Sequence, residues 1–341
     1  MPLRHGALSR NDARTEAMTP SRTAAQGTNR LSWGAHELWE RLEPRLPGLS
    51  VEVLARVQST NSALLERARI APGAQHAAGS AAGPSDEGAG RVGRRQADMQ
   101  PCLLVAEHQI AGRGRGGRGW RSARGASLTF SLALPLAPAD WSGLSLAVGV
   151  ALADALQPEA PAADTPRIAL KWPNDLWLVP SADQGPPADG SLGRKLGGIL
   201  IETLASGRQR LAVIGVGLNI LALPEPLPAE LHGRFASLSE IDPAATAPST
   251  LARVALPLVE ALQSFERDGF AVFAERFAAR DLLRGHALRT SSASVPEGTA
   301  RGVDARGALL LEAADGVHAI ESGEVSVRPA AGPDTIPSPA P

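Results

Sequence analysis

The chain has 341 residues, a formal net charge of −1 and a single cysteine. That length can bury a full core and fits one large domain plus a small one. Near-neutral charge excludes a globally basic nucleic-acid binder, and the lone Cys102 excludes an internal disulfide and any multi-cysteine zinc site.

No apolar run approaches the roughly 20 residues that cross a bilayer, and the N-terminus lacks the apolar stretch of a secretory signal. Cys102 sits in the apolar run CLLVA and reads as a buried structural thiol, as expected of the reducing cytoplasm.

Residues 1 to about 30 are polar and predict a disordered tail. AHELWERL follows, with Leu38, Trp39 and Leu42 on one helical face. VEVLARV then reads as a strand, and STNSALLERARI as a helix capped by Ser59, Thr60 or Asn61. Residues 71–100 hold fourteen Ala or Gly, too little apolar bulk for a core, and read as a mobile insertion. CLLVAE is a short central strand, and SLTFSLALP alternates Leu128, Phe130, Leu132 and Leu134, a strand with one buried face.

Leu144, Val148, Leu152 and Leu156 repeat every four residues, a helix that packs on a sheet. RIALKW returns to strand and Pro173 ends its pairing. Residues 180–193 form a second Pro/Gly/Asp insertion. KLGGILIETL and RLAVIGVGLNI read as paired buried strands, and residues 221–240 as an irregular loop. Leu251, Val254, Leu258, Leu262 and Phe265 mark a helix bent or interrupted near Pro257, with a second helix around Phe273 and Phe277. From Gly285 to Arg328 short strands with Gly turns predict a small β-barrel, followed by a Pro/Ala-rich tail. Strands and helices without strict alternation make the chain α+β.

Four segments carry chemistry. Between two strands, GRGRGGRGW and the four residues after it place five arginines (Arg113, Arg115, Arg118, Arg121 and Arg124) within twelve residues, and no acid follows until Asp140. Such a loop either closes over a small anion, with guanidinium forks on its oxygens, or coats nucleic acid. The absence of Lys-Ser/Thr after glycine argues against a P-loop.

KWPND gathers Lys171, Asn174 and Asp175 where a strand leaves the sheet. It is either an ordinary turn or a set of hard oxygen ligands for Mg²⁺ beside nucleotide phosphates. In RKLGGILIE and GVGLN, glycines within apolar strands indicate close approach to the backbone, by packing or by a ligand, and Lys195 opens the first of them.

GRGRGGRGW, KWPND, KLGGILIE, VIGVGLNI and a preceding STN, in this order, resemble the biotin protein ligases over residues 49–329, and SGEVSVR resembles the end of that family's small barrel. The resemblance implies a mixed-sheet catalytic domain of the biotin/lipoate ligase type over residues 31–283, interrupted at about 71–100 and 180–193. A small SH3-like barrel over 284–329 and a disordered tail over 330–341 complete it.

It further implies ATP-dependent conversion of biotin to biotinyl-5'-AMP with release of pyrophosphate. Biotin then passes to a lysine of the biotin carboxyl carrier protein of acetyl-CoA carboxylase. Carried over, Ser59, Thr60, Asn61 and Gln109 line the biotin ring, with backbone at Gly112, Gly198 and Gly215 beside it. Arg113, Arg115 and Lys195 meet the biotin carboxylate. Arg113, Arg118, Trp120, Lys171, Asn174, Asn219 and Phe235 attend the ATP or adenylate. Asn174 and Asp175 face Mg²⁺, and Lys195, Asp175 and Arg115 carry the chemistry.

Only about 48 residues precede the resembling region, so no DNA-binding winged helix is expected, and a homodimer is left open. Two other readings stand beside this one. A lipoate or octanoate ligase would share fold and two-step logic, and a non-catalytic RNA-binding protein would use the same arginines on phosphates.

Overall fold

The computed structural model describes residues 31–69, 90–92, 99–159, 161–184, 190–206, 209–224, 233–321 and 327–330. The expected tails, most of the insertion at 71–100 and the middle of that at 180–193 lie outside the described residues.

In chain order the first elements are α1 (Ala35–Leu42), β1 (Ser50–Leu54), α2 (Thr60–Arg69), β2 (Gly90–Val92), β3 (Cys102–Ala106), β4 (Gly112–Arg113), β5 (Gly119–Trp120) and β6 (Ser127–Pro135). Then come α3 (Leu144–Leu156), β7 (Arg167–Lys171), β8 (Asp175–Val179), β9 (Arg194–Ser206) and β10 (Gln209–Asn219). The chain continues through α4 (Ala247–Asp268) and α5 (Ala274–Arg280) to β11 (Ala287–Thr290), β12 (Glu297–Val303), β13 (Leu309–Ala313), β14 (Gly316–Ile320) and β15 (Val327–Pro329).

Eight strands form one mixed sheet in the order β2-β1-β3-β6-β10-β9-β8-β7. Only β1 and β3 pair in parallel; every other pair is antiparallel. The α+β expectation holds, with two corrections. Within the segment read as a mobile insertion, Gly90–Val92 pairs with β1 at the sheet's edge. Asp175–Val179, left without an assignment after Pro173, is strand β8, because the chain turns back at once onto β7.

Burial on β6 departs from the expected single apolar face. Leu128, Phe130, Leu132 and Leu134 are buried, yet so are Ser127, Thr129 and Ser131 between them. Two layers explain this. Helices α3 and α4 pack on each other and on one face of the sheet, and α2 packs across β3, β6, β9 and β10. Under α2, Leu64 and Leu65 meet Cys102, Leu104, Ala133, Leu211 and Val213, so Cys102 is the buried structural thiol expected. The polar residues of β6 are buried by α2 and the loop before β6, and they open onto the site described below.

Thr246 caps α4 through Ser249, and the helix runs unbroken through Pro257, although proline withholds one ladder hydrogen bond. The expected loop at 221–240 is regular at its end: Arg234–Ala236 bonds to Lys195, and Leu238–Glu240 is one 3-10 turn. Among the described residues no helix is long and apolar enough to cross a membrane.

The C-terminal strands form an antiparallel sheet in the order β14-β13-β12-β11-β15. It holds the expected strands and adds β14, and no pairing of β14 with β15 closes it into a barrel among the described residues.

Two residues of KWPND fasten this sheet to the larger one. Trp172, buried, donates its indole N–H to Gly307 O (3.1 Å), and Lys171 Nζ donates to Val327 O (3.1 Å). Gly143 permits the same contact from the α3 side: its φ is +78° and a Cβ there would fall 2.9 Å from Arg306 O. Trp172→Ala is expected to cost about 3–5 kcal/mol, measured by urea denaturation. A cost below about 1 kcal/mol would show that this indole does not hold the junction.

Candidate active site

The site is built on a strip of sheet that carries no side chains. Gly215 and Gly217 lie two apart on β10 and therefore share a face. Gly217 pairs with Gly198 on β9, which pairs with Asp175 on β8. Each glycine lies against a side chain expected at the site. A Cβ on Gly215 would fall 2.2 Å from Asn61 Oδ1, and one on Gly217 would fall 2.4 Å from Trp120 Cε2. At Gly198 the nearest atoms to a Cβ are Lys195 Nζ (3.3 Å) and Asp175 Oδ1 (3.4 Å).

One end of the strip is polar and buried. Ser59, Thr60, Asn61 and Gln109 are all buried at the start of α2 and the loop beside it. Thr60 N–H donates to Gln109 Oε1 (2.7 Å). Ser131 Oγ sits 2.6 Å from both Thr60 Oγ1 and Asn61 Oδ1, and its one hydrogen serves one of them at a time. Asn61 Nδ2 donates to Leu200 O (3.1 Å) and to Glu202 Oε2 (3.0 Å). Buried polar groups persist only when satisfied, and this set satisfies itself.

The Gly/Arg segment is ordered, as the anion-loop reading requires. Gly112 and Arg113 pair with Trp120 and Gly119 to close a small hairpin, and Gly116 and Gly117 at its tip have φ of +60° and +71°. Its arginines diverge. Arg113 donates to Ser62 Oγ (2.9 Å) and Glu202 Oε1 (2.8 Å), on the α2 side. Arg115 reaches Asn174 Oδ1 (3.4 Å) on the opposite side. Arg124 pairs with the buried Glu107. The Trp120 indole N–H is buried without a hydrogen-bond partner.

Cations gather at the other end of the strip. Lys195 Nζ donates to Asp175 Oδ1 (2.7 Å). Burial lowers the Arg115 pKa, Arg118 lowers it further and Asp175 opposes both. Burial also brings Lys171 down to about 8, with Asp175 opposing and Lys195, Arg118 and Arg328 adding to the fall. Lys195, Arg115 and Lys171 thus share the field of Asp175, a surplus of positive charge suited to an anionic ligand.

The remaining expected residues have backbone duties. Asn219, buried, donates Nδ2 to Lys195 O (3.3 Å) and Ala236 O (3.1 Å). Phe235 bridges Lys195, placing it beside the site across the segment expected to be irregular. Asn174 donates to Ile199 O (2.6 Å). Lys171 faces the C-terminal sheet, its ammonium 5.2 Å from the Trp177 ring centroid.

Residues 92–219 match the Biotin/lipoate A/B protein ligase family, and residues 287–328 match the Biotin protein ligase C terminal domain. The biotin–[acetyl-CoA-carboxylase] ligase of Mycobacterium tuberculosis is 31% identical over 282 residues, 81% of this chain and 88% of that protein. The chain belongs to the biotin protein ligases.

Other members agree. The bifunctional ligase/repressor BirA of Salmonella typhimurium is 31% identical over 296 residues, 85% of this chain and 78% of that protein. The solved biotin protein ligase from Aquifex aeolicus in complex with biotin and ATP is 25% identical, with a TM-score of 0.58 over 82% of this chain and 99% of that one.

Measured against this biotin protein ligase framework, sequence reasoning missed Ser131, Glu202 and the Arg194–Glu240 ion pair that holds the segment carrying Phe235. The first two carried a signal. Ser131 is the polar phase of an alternating strand, and Glu202 is the lone acid within β9.

The lowered pKa of Lys171 gives a pH test. In the unfolded chain this lysine stays charged up to about 10.5, and in the fold only up to about 8. The folded state therefore bears the cost of the buried charge below about 8 and sheds it as pH rises towards 10.5. Relative to Lys171→Met, the native chain is expected to gain stability across that window in denaturant titrations. A pH-independent difference would contradict the burial.

Proposed function

We propose that this protein activates biotin with ATP, forming biotinyl-5'-AMP and pyrophosphate, and then transfers biotin to a lysine of the carrier protein of acetyl-CoA carboxylase. Family membership and the name of the Mycobacterium relative support the substrates. The observation that carries the reading is the cation cluster around Asp175 at the end of the glycine strip.

A carboxylate does not acylate an amine at neutral pH, because oxide is a poor leaving group. Attack of the biotin carboxylate on the α-phosphorus of ATP replaces that oxide with AMP. Negative charge then builds on phosphate oxygens. Lys195, Arg115 and Arg118 are the side chains to stabilise it, while Ser59, Thr60, Asn61 and Gln109 hold the ring at the far end of the strip.

Arg113 is assigned to the vitamin end because its donors go to Ser62 and Glu202. Lys171 is assigned to the wall behind the nucleotide, and Asn219 to fixing the backbone of Lys195. Residues 31–283 carry the chemistry in this reading, and residues 284–329 brace the KWPND turn.

Asn174 and Asp175 offer one amide oxygen and one carboxylate. No group of three metal-ligating side chains occurs among the described residues. That donor set fits Mg²⁺ arriving on the nucleotide, since Mg²⁺ keeps several waters and takes phosphate oxygens. When bound, the ion would neutralise phosphate charge.

In the second step the carrier lysine attacks the acyl carbon and AMP leaves. An ordinary lysine is neutral in only roughly one part in two thousand at pH 7, so a base is needed, and Asp175 is the carboxylate at hand.

Pyrophosphate exchange into ATP tests the reading: biotin should drive it and lipoate or octanoate should not, whereas exchange driven by lipoate would contradict it. Asp175→Asn is expected to slow both half-reactions by about 100-fold or more. Unchanged transfer from preformed adenylate would confine Asp175 to binding. Arg115→Ala should let the adenylate escape, seen as biotin on lysines of unrelated proteins; label confined to the carrier would remove the retention role from this arginine.

A further inference from the structure

Glu202 has no part in the chemistry just described, yet it joins the two halves of the site. It lies on β9 two residues beyond Leu200, whose carbonyl accepts from Asn61, and its side chain is 23% exposed. Both carboxylate oxygens are engaged. Oε2 accepts from Asn61 Nδ2 at 3.0 Å, and Oε1 accepts from Arg113 Nη2 at 2.8 Å. Arg113 opens the Gly/Arg hairpin, and its other terminal nitrogen donates to Ser62 Oγ on α2. Gln109, three residues before the hairpin, reaches the same network through Thr60 and Ser131. Asn61, Glu202 and Arg113 thus form one hydrogen-bonded chain from the buried polar end of the site to the hairpin.

We infer that Glu202 is a positioning residue that latches the Gly/Arg loop to Asn61, so that filling the vitamin end of the pocket and closing the loop are coupled through one carboxylate. The inference rests on the biotin reading given above. Its physical basis is the two acceptor oxygens. Asn61 Nδ2 and Arg113 both donate, and only an ionised carboxylate accepts from both. A glutamine keeps one acceptor and turns an NH₂ toward the other donor, so one link breaks whichever way its amide lies. The Arg113 bond joins two opposite charges, the stronger class of hydrogen bond, but Arg113 is 48% exposed. The latch is therefore weak enough to open when ligands enter or leave.

The test measures steady-state kinetics and adenylate leakage for the full chain, Glu202→Gln, Arg113→Ala and the double variant. Glu202→Gln is expected to raise the KM for biotin about tenfold, in line with loss of one charge-assisted hydrogen bond, with kcat and the KM for ATP within about twofold. Arg113→Ala should raise the KM for biotin at least as much, because its guanidinium also meets the vitamin end in this reading, with more biotin escaping to unrelated lysines. Because one latch is broken in each, the double variant should be no worse than the worse single.

An unchanged KM for biotin, an effect falling on kcat or ATP instead, or effects that multiply in the double variant would each overturn the latch. Glu202→Ala removes both links at once, so its KM for biotin decides the matter even if Glu202→Gln does not fold. A native chain that forms no biotinyl-5'-AMP would sink the biotin reading itself. An active native chain with indifferent variants would sink this inference alone.

Discussion

Contact between side chains and bare backbone is the constraint on which the site depends. Asn61 and Trp120 lie directly on Gly215 and Gly217, and Lys195 and Asp175 close over Gly198. Any side chain at the first two positions would occupy space already taken by those groups. The strands nevertheless stay paired in register through this stretch. The sheet stays regular in its hydrogen bonding where Gly198, Gly215 and Gly217 lack side chains, and that combination lets side chains from α2, the hairpin and β8 rest directly on backbone. Polar groups stand at one end of this strip and cations at the other, the order in which a ureido ring, an acyl carboxylate and a phosphate would follow one another.

The same economy governs KWPND. Within five residues the motif supplies two anchors for the C-terminal sheet and two groups for the site. Trp172 and Lys171 bond to Gly307 and Val327, whereas Asn174 and Asp175 meet Ile199, Arg115 and Lys195. The small sheet therefore bears on the position of Asp175 without reaching the site itself. Displacing it would shift Lys171 and the turn after it together.

Much of this was legible in the sequence, for reasons that differ by element. The central strands CLLVA, SLTFSLALP, KLGGILIE and RLAVIGVGLN show in their apolar runs, and their glycines marked where something approaches backbone. The helices α1, α3 and α4 follow from apolar spacing. The anion-loop reading of GRGRGGRGW rested on its place between two strands, and the ordered hairpin agrees.

What escaped was whatever depends on burial from the second face. The serines and threonine of β6 read as the solvent side because alternation alone does not reveal that α2 covers them. Glu202 and Arg113 lie 89 residues apart, and nothing local announces that they meet. Lys171 was grouped with Asn174 and Asp175 by proximity in sequence, yet strand alternation and the turn at Pro173 send its ammonium to the other sheet. β8 was missed because Pro173 is followed so closely by the return strand.

A site that makes an acyl adenylate and shelters it from water should keep that molecule bound to the protein. The most direct measurement mixes the carrier-free chain with biotin and Mg-ATP, passes it through a desalting column and identifies the small molecule that stays with the protein. The account expects biotinyl-5'-AMP in about equimolar amount to the chain, competent for transfer when apo-carrier is added afterwards. Recovery of the chain with no adenylate, while biotin and ATP remain unchanged in the mixture, would contradict it.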